Sequence, residues 1–100
     1  MMYMEPLELE AGTAIGIEVK LPKTTLLVVT TDKGYIMCGA LDVALLNEKL
    51  SDRKIIAGRA TGVRTIQQLL DAPLESVTLE AEALGIHVGM PGREAIRRMM

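Results

Sequence analysis

The chain has 100 residues, the size of one ordinary domain, and carries 11 Lys and Arg against 13 Asp and Glu for a net charge of -2. Glu5, Glu8, Glu10 and Glu18 stand in a leading stretch without a single base, a balance that disfavours nucleic acid as a general partner. Apolar residues make up 49%, with no Phe or Trp, so the core is aliphatic; one cysteine, Cys38, and one histidine exclude an intramolecular disulfide and a zinc site built within one chain.

The alternation of Leu7 and Leu9 with Glu8 and Glu10 predicts a half-buried strand from Met4 to Glu10. Ala11-Gly12 turns the chain, and Ile15, Ile17 and Val19 repeat the period of two, which completes a hairpin. Leu21-Pro22-Lys23-Thr24 breaks the pattern before Leu26-Leu27-Val28-Val29, apolar on both faces as a covered central strand requires. Asp32-Lys33-Gly34 supplies the next hairpin loop, and Tyr35-Ile36-Met37-Cys38 is a fourth strand.

Beyond Gly39 the period lengthens. Val43, Leu46 and Leu50 recur at helical spacing opposite Asn47, Glu48 and Lys49, which predicts a helix from about Ala40 to Asp52. The apolar run Lys54 to Gly58 then makes Tyr35 to Gly58 a strand-helix-strand unit with parallel strands. Thr65 and Gln68 have capping-box spacing and open a short helix ending at Leu70. Pro73 begins a third helix with Leu74, Val77, Ala81 and Leu84 on one face, closed by Gly85 and covered by Ile86. Pro91-Gly92 opens a last helix with Glu94 and Arg98 paired at i, i+4.

The expected fold is therefore a single α/β (α+β) domain over residues 1–100. It has a mixed sheet of about five strands, an N-terminal antiparallel β region at about 4–31, one βαβ unit, and C-terminal helices within about 35–100. The N-terminus has no basic region ahead of an apolar stretch, and no apolar run approaches the ~18 to 20 residues of a membrane span. The unpaired Cys38 suits a reducing compartment, so the expected setting is cytoplasmic, with no membrane partner.

Two features bear on chemistry. In Met37-Cys38-Gly39-Ala40-Leu41-Asp42 a strand ends in a thiol ahead of a helix start, where free N-H groups favour a thiolate or an anion. Cys38 and Asp42 are the candidate catalytic residues, set against the plainer roles of core packing for the thiol and helix capping for the carboxylate. The second feature, Gly58-Arg59-Ala60-Thr61-Gly62-Val63-Arg64-Thr65, offers guanidiniums, glycines and hydroxyls suited to a phosphate or carboxylate, without Walker or Rossmann spacing. A plain loop with Thr65 as a cap is the competing account. Both features fall beyond the carboxyl ends of parallel strands, the edge at which open α/β sheets bind ligands. The candidate ligand-binding residues are Gly39, Arg59, Gly62, Arg64 and Thr65, for a small anion; no metal and no cofactor are expected. His87 reads as a loop histidine, and Met90, Met99 and Met100 as packing or interface residues. Gly62 to Thr65 and Leu84-Gly85-Ile86 before Gly89 bear a faint likeness to helix-hairpin-helix DNA-binding modules, a reading that the net negative charge and the missing Gly-x-Gly hairpin weigh against.

The stretch Gly34 to Asn47, with Gly58-Arg59-Ala60, Gly62 to Thr65, Gly85-Ile86, Gly89-Met90 and Gly92 to Ala95, closely resembles the YunC-like family, a domain of unknown function (family 1805). The resemblance spans Ala14 to Met99. It implies a bacterial or archaeal protein, a homotetramer formed through an N-terminal β-rich region, and no established enzymatic activity. The function expected is thus that of a cytosolic homo-oligomer with an anion crevice between Cys38 and the Arg59–Arg64 loop. A thiol-dependent enzyme using Cys38 and a purely structural or interaction module are the alternatives.

Overall fold

The computed structural model describes residues 1–39, 41–48 and 51–100. In chain order these form β1 (Met2–Leu9), β2 (Gly12–Leu21), β3 (Thr24–Thr30), β4 (Gly34–Met37), α1 (Val43–Glu48), a 3-10 turn (Ser51–Arg53), β5 (Ile56–Arg59), α2 (Ile66–Asp71), β6 (Ser76–Val77), α3 (Leu79–Ala83) and α4 (Gly92–Arg98). The strands make one sheet in the order β1-β2-β3-β4-β5-β6. Only β4 and β5 are parallel, with Met37 opposite Arg59, as the connection through α1 requires.

The register assigns each side chain to a face. Pro6, Ile15, Thr30, Tyr35 and Ala57 lie in one row across β1 to β5, and their residues at i±2 share that side, here the outer face. The inner face buries Leu27, Val29 and Ile36 completely against Leu69 of α2, Ile96 of α4 and Met99. On the outer face α1 covers β4 and β5, packing Leu41, Val43 and Leu46 on Ala57. The outer face of β1 and β2 has no such roof among the described residues: Met2 is 62% exposed, Met4 61% and Ile15 41%.

Turn chemistry fixes the hairpins as expected. Lys23, after Pro22, takes a φ of 64° in the β2–β3 turn, the left-handed position that follows proline in a type II turn. Thr31 Oγ1 accepts the N-H groups of Lys33 and Gly34 in the β3–β4 turn.

Three expectations need correction. The first helix spans Val43–Glu48 and a separate 3-10 turn follows, rather than one helix to Asp52; Ala40, Lys49 and Leu50 lie outside the described residues. The sheet has six strands, because Ser76 and Val77 pair with Arg59 and Gly58 where a helix from Pro73 was expected. That helix starts only at Leu79. The backbone of β5 had an open edge, and Thr78 meets it: its N-H donates to the Ala57 carbonyl, while Oγ1 accepts the N-H groups of Ala57 and of Ala81 in α3. Long-range strand pairing outweighs the local apolar period: Leu74, Val77 and Ala81 are still buried, while Leu84, expected on the same face, is 40% exposed. The α3 terminus is as expected, with Gly85 at φ 84° and Ile86 donating its N-H to the Ala81 carbonyl in a Schellman closure.

Candidate functional site

The parallel pair β4–β5 ends at Met37 and Arg59, and beyond those ends the chain leaves the sheet on both strands. Arg59 shares the outer face with Ala57, so its side chain enters a crevice of about 400 Å³ between α1 and the β6–α3 segment. Asp42, Asn47, Glu75, Ser76 and Val88 line the same space.

The guanidinium is held at both ends. Nη2 donates to the Gly39 carbonyl at 3.1 Å and Nη1 to Glu75 Oε2 at 3.3 Å. Ser76 Oγ donates to the same carboxylate oxygen at 3.1 Å. Nε is buried and finds no acceptor among the described residues. The Arg59–Glu75 bridge is part-exposed on both sides, a setting in which ion pairs contribute about 0 to 1 kcal/mol. Opening it to admit another anion costs correspondingly little. Asp42 and Glu82 add negative charge to the walls and oppose that exchange.

Asp42 directly precedes α1, and its Oδ1 accepts the Leu45 N-H at 3.0 Å. That is the geometry of a helix cap and satisfies one of the first-turn donors. Asn47 ties the two walls of the crevice together, its Oδ1 accepting the Leu79 N-H at 3.0 Å.

Cys38 is not in this crevice. One residue beyond Met37, it turns to the inner face and is 7% exposed among the core residues, where Sγ lies 3.5 Å from the Leu27 N-H and 3.9 Å from the Thr25 carbonyl. The expectation that it lies immediately before a helix start is also corrected, since α1 begins only at Val43. The Gly62–Thr65 loop leads into α2 on the inner side of the sheet. Gly62 takes a φ of 73°, Arg64 is exposed and donates its main-chain N-H to Gln68 Oε1 at 2.7 Å, and Thr65 Oγ1 accepts the Gln68 N-H at 3.0 Å. The reciprocal arm of the cap thus bonds the residue before Thr65. Of the residues singled out in the sequence, the fold brings together Gly39, Asp42 and Arg59; Cys38, Gly62, Arg64 and Thr65 lie outside the crevice lining.

Sequence reasoning missed Glu75 and Ser76, which were absorbed into the expected helix from Pro73. Their signal was the acid–hydroxyl pair following Pro73-Leu74, but only strand pairing with β5 carries them to Arg59. His87 is exposed, with Nδ1 3.0 Å from the Val88 carbonyl. Among the described residues no three His, Cys, Asp or Glu side chains group as metal ligands, and no helix is long and apolar enough to cross a membrane.

Comparison with known proteins agrees with this fold. Residues 37–99 match the profile of a family described as Domain of unknown function (DUF1805). The chain is 64% identical over 100 residues, all of this chain and 99% of the relative, to a Bacillus subtilis (strain 168) protein called Uncharacterized protein YunC. Its structure is similar to the crystal structure of TA1206 from Thermoplasma acidophilum, titled a protein of unknown function. That likeness has a TM-score of 0.89 and 30% identity, covering 100% of this chain and 94% of the other.

Proposed function

The chain belongs to the DUF1805 family, and from that premise we propose that it works as a cytoplasmic homo-oligomer, a tetramer joined through its N-terminal strands. The observation that carries this reading is the unroofed apolar outer face of β1 and β2, with Met2, Met4 and Ile15 exposed beside half-buried Ile17 and Val19. A contiguous apolar patch of this kind marks an interaction surface, because water-exposed apolar area costs about 25 cal/mol per Å² relative to burial. A 100-residue aliphatic domain has a limited core of its own, which makes burial against another copy favourable. Light scattering at micromolar concentration tests the reading: the expected mass is about four times the 10.9 kDa chain, and a single-chain mass overturns it.

A second reading concerns the Arg59 crevice, and the observation favouring it is a part-exposed Arg59–Glu75 bridge that opens at little cost. A phosphate-like or carboxylate anion taking Glu75's place on Nη1 gains a charge-assisted contact. The neighbouring Asp42 and Glu82 limit its affinity to the micromolar to millimolar range, about 4 to 8 kcal/mol. Sulfate is the probe. It should raise the melting temperature of the parent and of Arg64→Ala by equal amounts, and that of Arg59→Ala by less; an equal rise in all three denotes general salt exclusion. The burial of Cys38 supports a packing role for the thiol and leaves the thiol-enzyme alternative without a nucleophile in the crevice.

A further inference from the structure

As the outermost strand of the sheet, β1 pairs with β2 along one side of its backbone and, among the described residues, presents a free edge along the other. The hydrogen bonds fix which residues look each way. Lys20 donates its N-H to the Met1 carbonyl at 2.8 Å, and the Met1 ammonium returns a contact to the Lys20 carbonyl at 3.4 Å. In an antiparallel ladder such doubly bonded pairs alternate with pairs whose backbone groups turn away. With Tyr3 opposite Glu18, Glu5 opposite Gly16 and Leu7 opposite Ala14, the odd-numbered residues of β1 bond β2. Met2, Met4, Pro6 and Glu8 therefore turn their backbone groups to the free edge.

Pro6 has no N-H to offer there, and it stands inside that run rather than at its end. At this parity proline takes no bond from the β1–β2 ladder; one residue earlier or later it would. A strand added along β1 would lack a donor at Pro6 and would meet the pyrrolidine ring. Without it, β1 would be an eight-residue edge strand free of Lys and Arg, the kind that templates open-ended pairing.

We propose that Pro6 closes the free edge of β1 to strand addition, so that a second copy of this chain seats on the outer face of β1–β3 and assembly stops at a finite size. The inference rests on the self-assembly reading above. Charge favours a second copy as the occupant. A twofold interface sets one patch against itself, so a patch whose charges are all of one sign meets that same sign across the seam, and a nearly uncharged patch meets none. The outer face of these three strands carries one charge, Glu8, near the hairpin end, whereas the opposite side of the same hairpin carries Glu5, Glu18 and Lys20.

Two substitutions separate the edge from the face. Pro6→Thr restores the outward donor at an exposed position, and light scattering over a concentration series should show masses growing to several-fold above the parent's, with a thioflavin T response that the parent lacks. An unchanged, concentration-independent mass for Pro6→Thr overturns the assignment of Pro6. Met4→Glu alters a side chain already 61% exposed on the outer face, so its fold, checked by circular dichroism, is retained, and its mass should fall toward the 10.9 kDa single chain. Met4→Glu with the parent's mass overturns the seating on the outer face while leaving the Pro6 result to stand on its own. A single-chain parent overturns the assembly reading, and a gain of mass by Pro6→Thr still decides for closure of the edge.

Discussion

Cys38 and Arg59 stand at the carboxyl ends of adjacent parallel strands and point to opposite faces of the sheet. Met37 is the residue opposite Arg59, and successive side chains of a strand alternate, so the thiol lies among the inner core residues while the guanidinium enters the outer crevice. The positive charge of Arg59 is thereby separated from the one residue that carries nucleophilic sulfur. The two halves of the chemistry that the sequence suggests do not meet.

Native protein should accordingly resist iodoacetamide at Cys38 and label readily once unfolded in urea. Cys38→Ala removes a buried side chain that accepts the Leu27 N-H, and should lower stability by about 1 to 2 kcal/mol in urea titration. Native labelling at the rate of a free thiol would show that the inner site opens.

Glu75→Gln should enlarge the sulfate-induced rise in melting temperature beyond the parent's. It removes the carboxylate that occupies Arg59 Nη1 and one negative charge from the crevice. A response equal to that of Arg59→Ala would mean that the guanidinium is no anion site.

Thr78 is 2% exposed, and its Oγ1 serves two N-H donors on different elements, Ala57 at 3.1 Å and Ala81 at 3.3 Å. Thr78→Val keeps the shape and strands both donors, so it should cost about 2 to 3 kcal/mol, more than the ~1 kcal/mol expected of an exposed cap such as Thr65→Ala. Thr78→Ser retains the oxygen and should recover most of the loss. Equal melting temperatures for the Val and Ser variants would remove the hydroxyl from the account.

Glu94 accepts Arg97 through both carboxylate oxygens and faces Arg98, and these contacts, led by the Arg97 hydrogen bond, hold its carboxyl below the usual range. Asp71 is lowered in the same direction, by Gln67 and then Arg93. A carboxyl with a depressed folded-state pKa contributes stability in full above its unfolded value, about 4.3 for Glu, and loses it as pH falls through the folded value. Melting temperature should therefore drop on acidification below about pH 4. Glu94→Gln should flatten that slope, and a slope identical to the parent's would assign acid unfolding to other groups.

The sequence by itself determined the elements whose signal is local. Period-two alternation placed the N-terminal hairpin, Thr65 with Gln68 started α2, Gly85 ended α3, and Pro91-Gly92 opened α4, because each rests on bonds between residues a few positions apart. The change of period after Gly39 was enough to make β4 and β5 parallel, since a helical crossover returns the chain in the same direction. Tertiary structure alone decided what depends on partners distant in sequence. The open edge of β5 drew Ser76 and Val77 into a sixth strand and delivered Glu75 to Arg59, sixteen residues away. Strand register, which a shift of one residue would invert, decided that Arg59 faces outward and Cys38 inward. The same register turned the backbone of Pro6 to solvent: the sequence contains the proline, and only the pairing of β1 with β2 says which edge it faces.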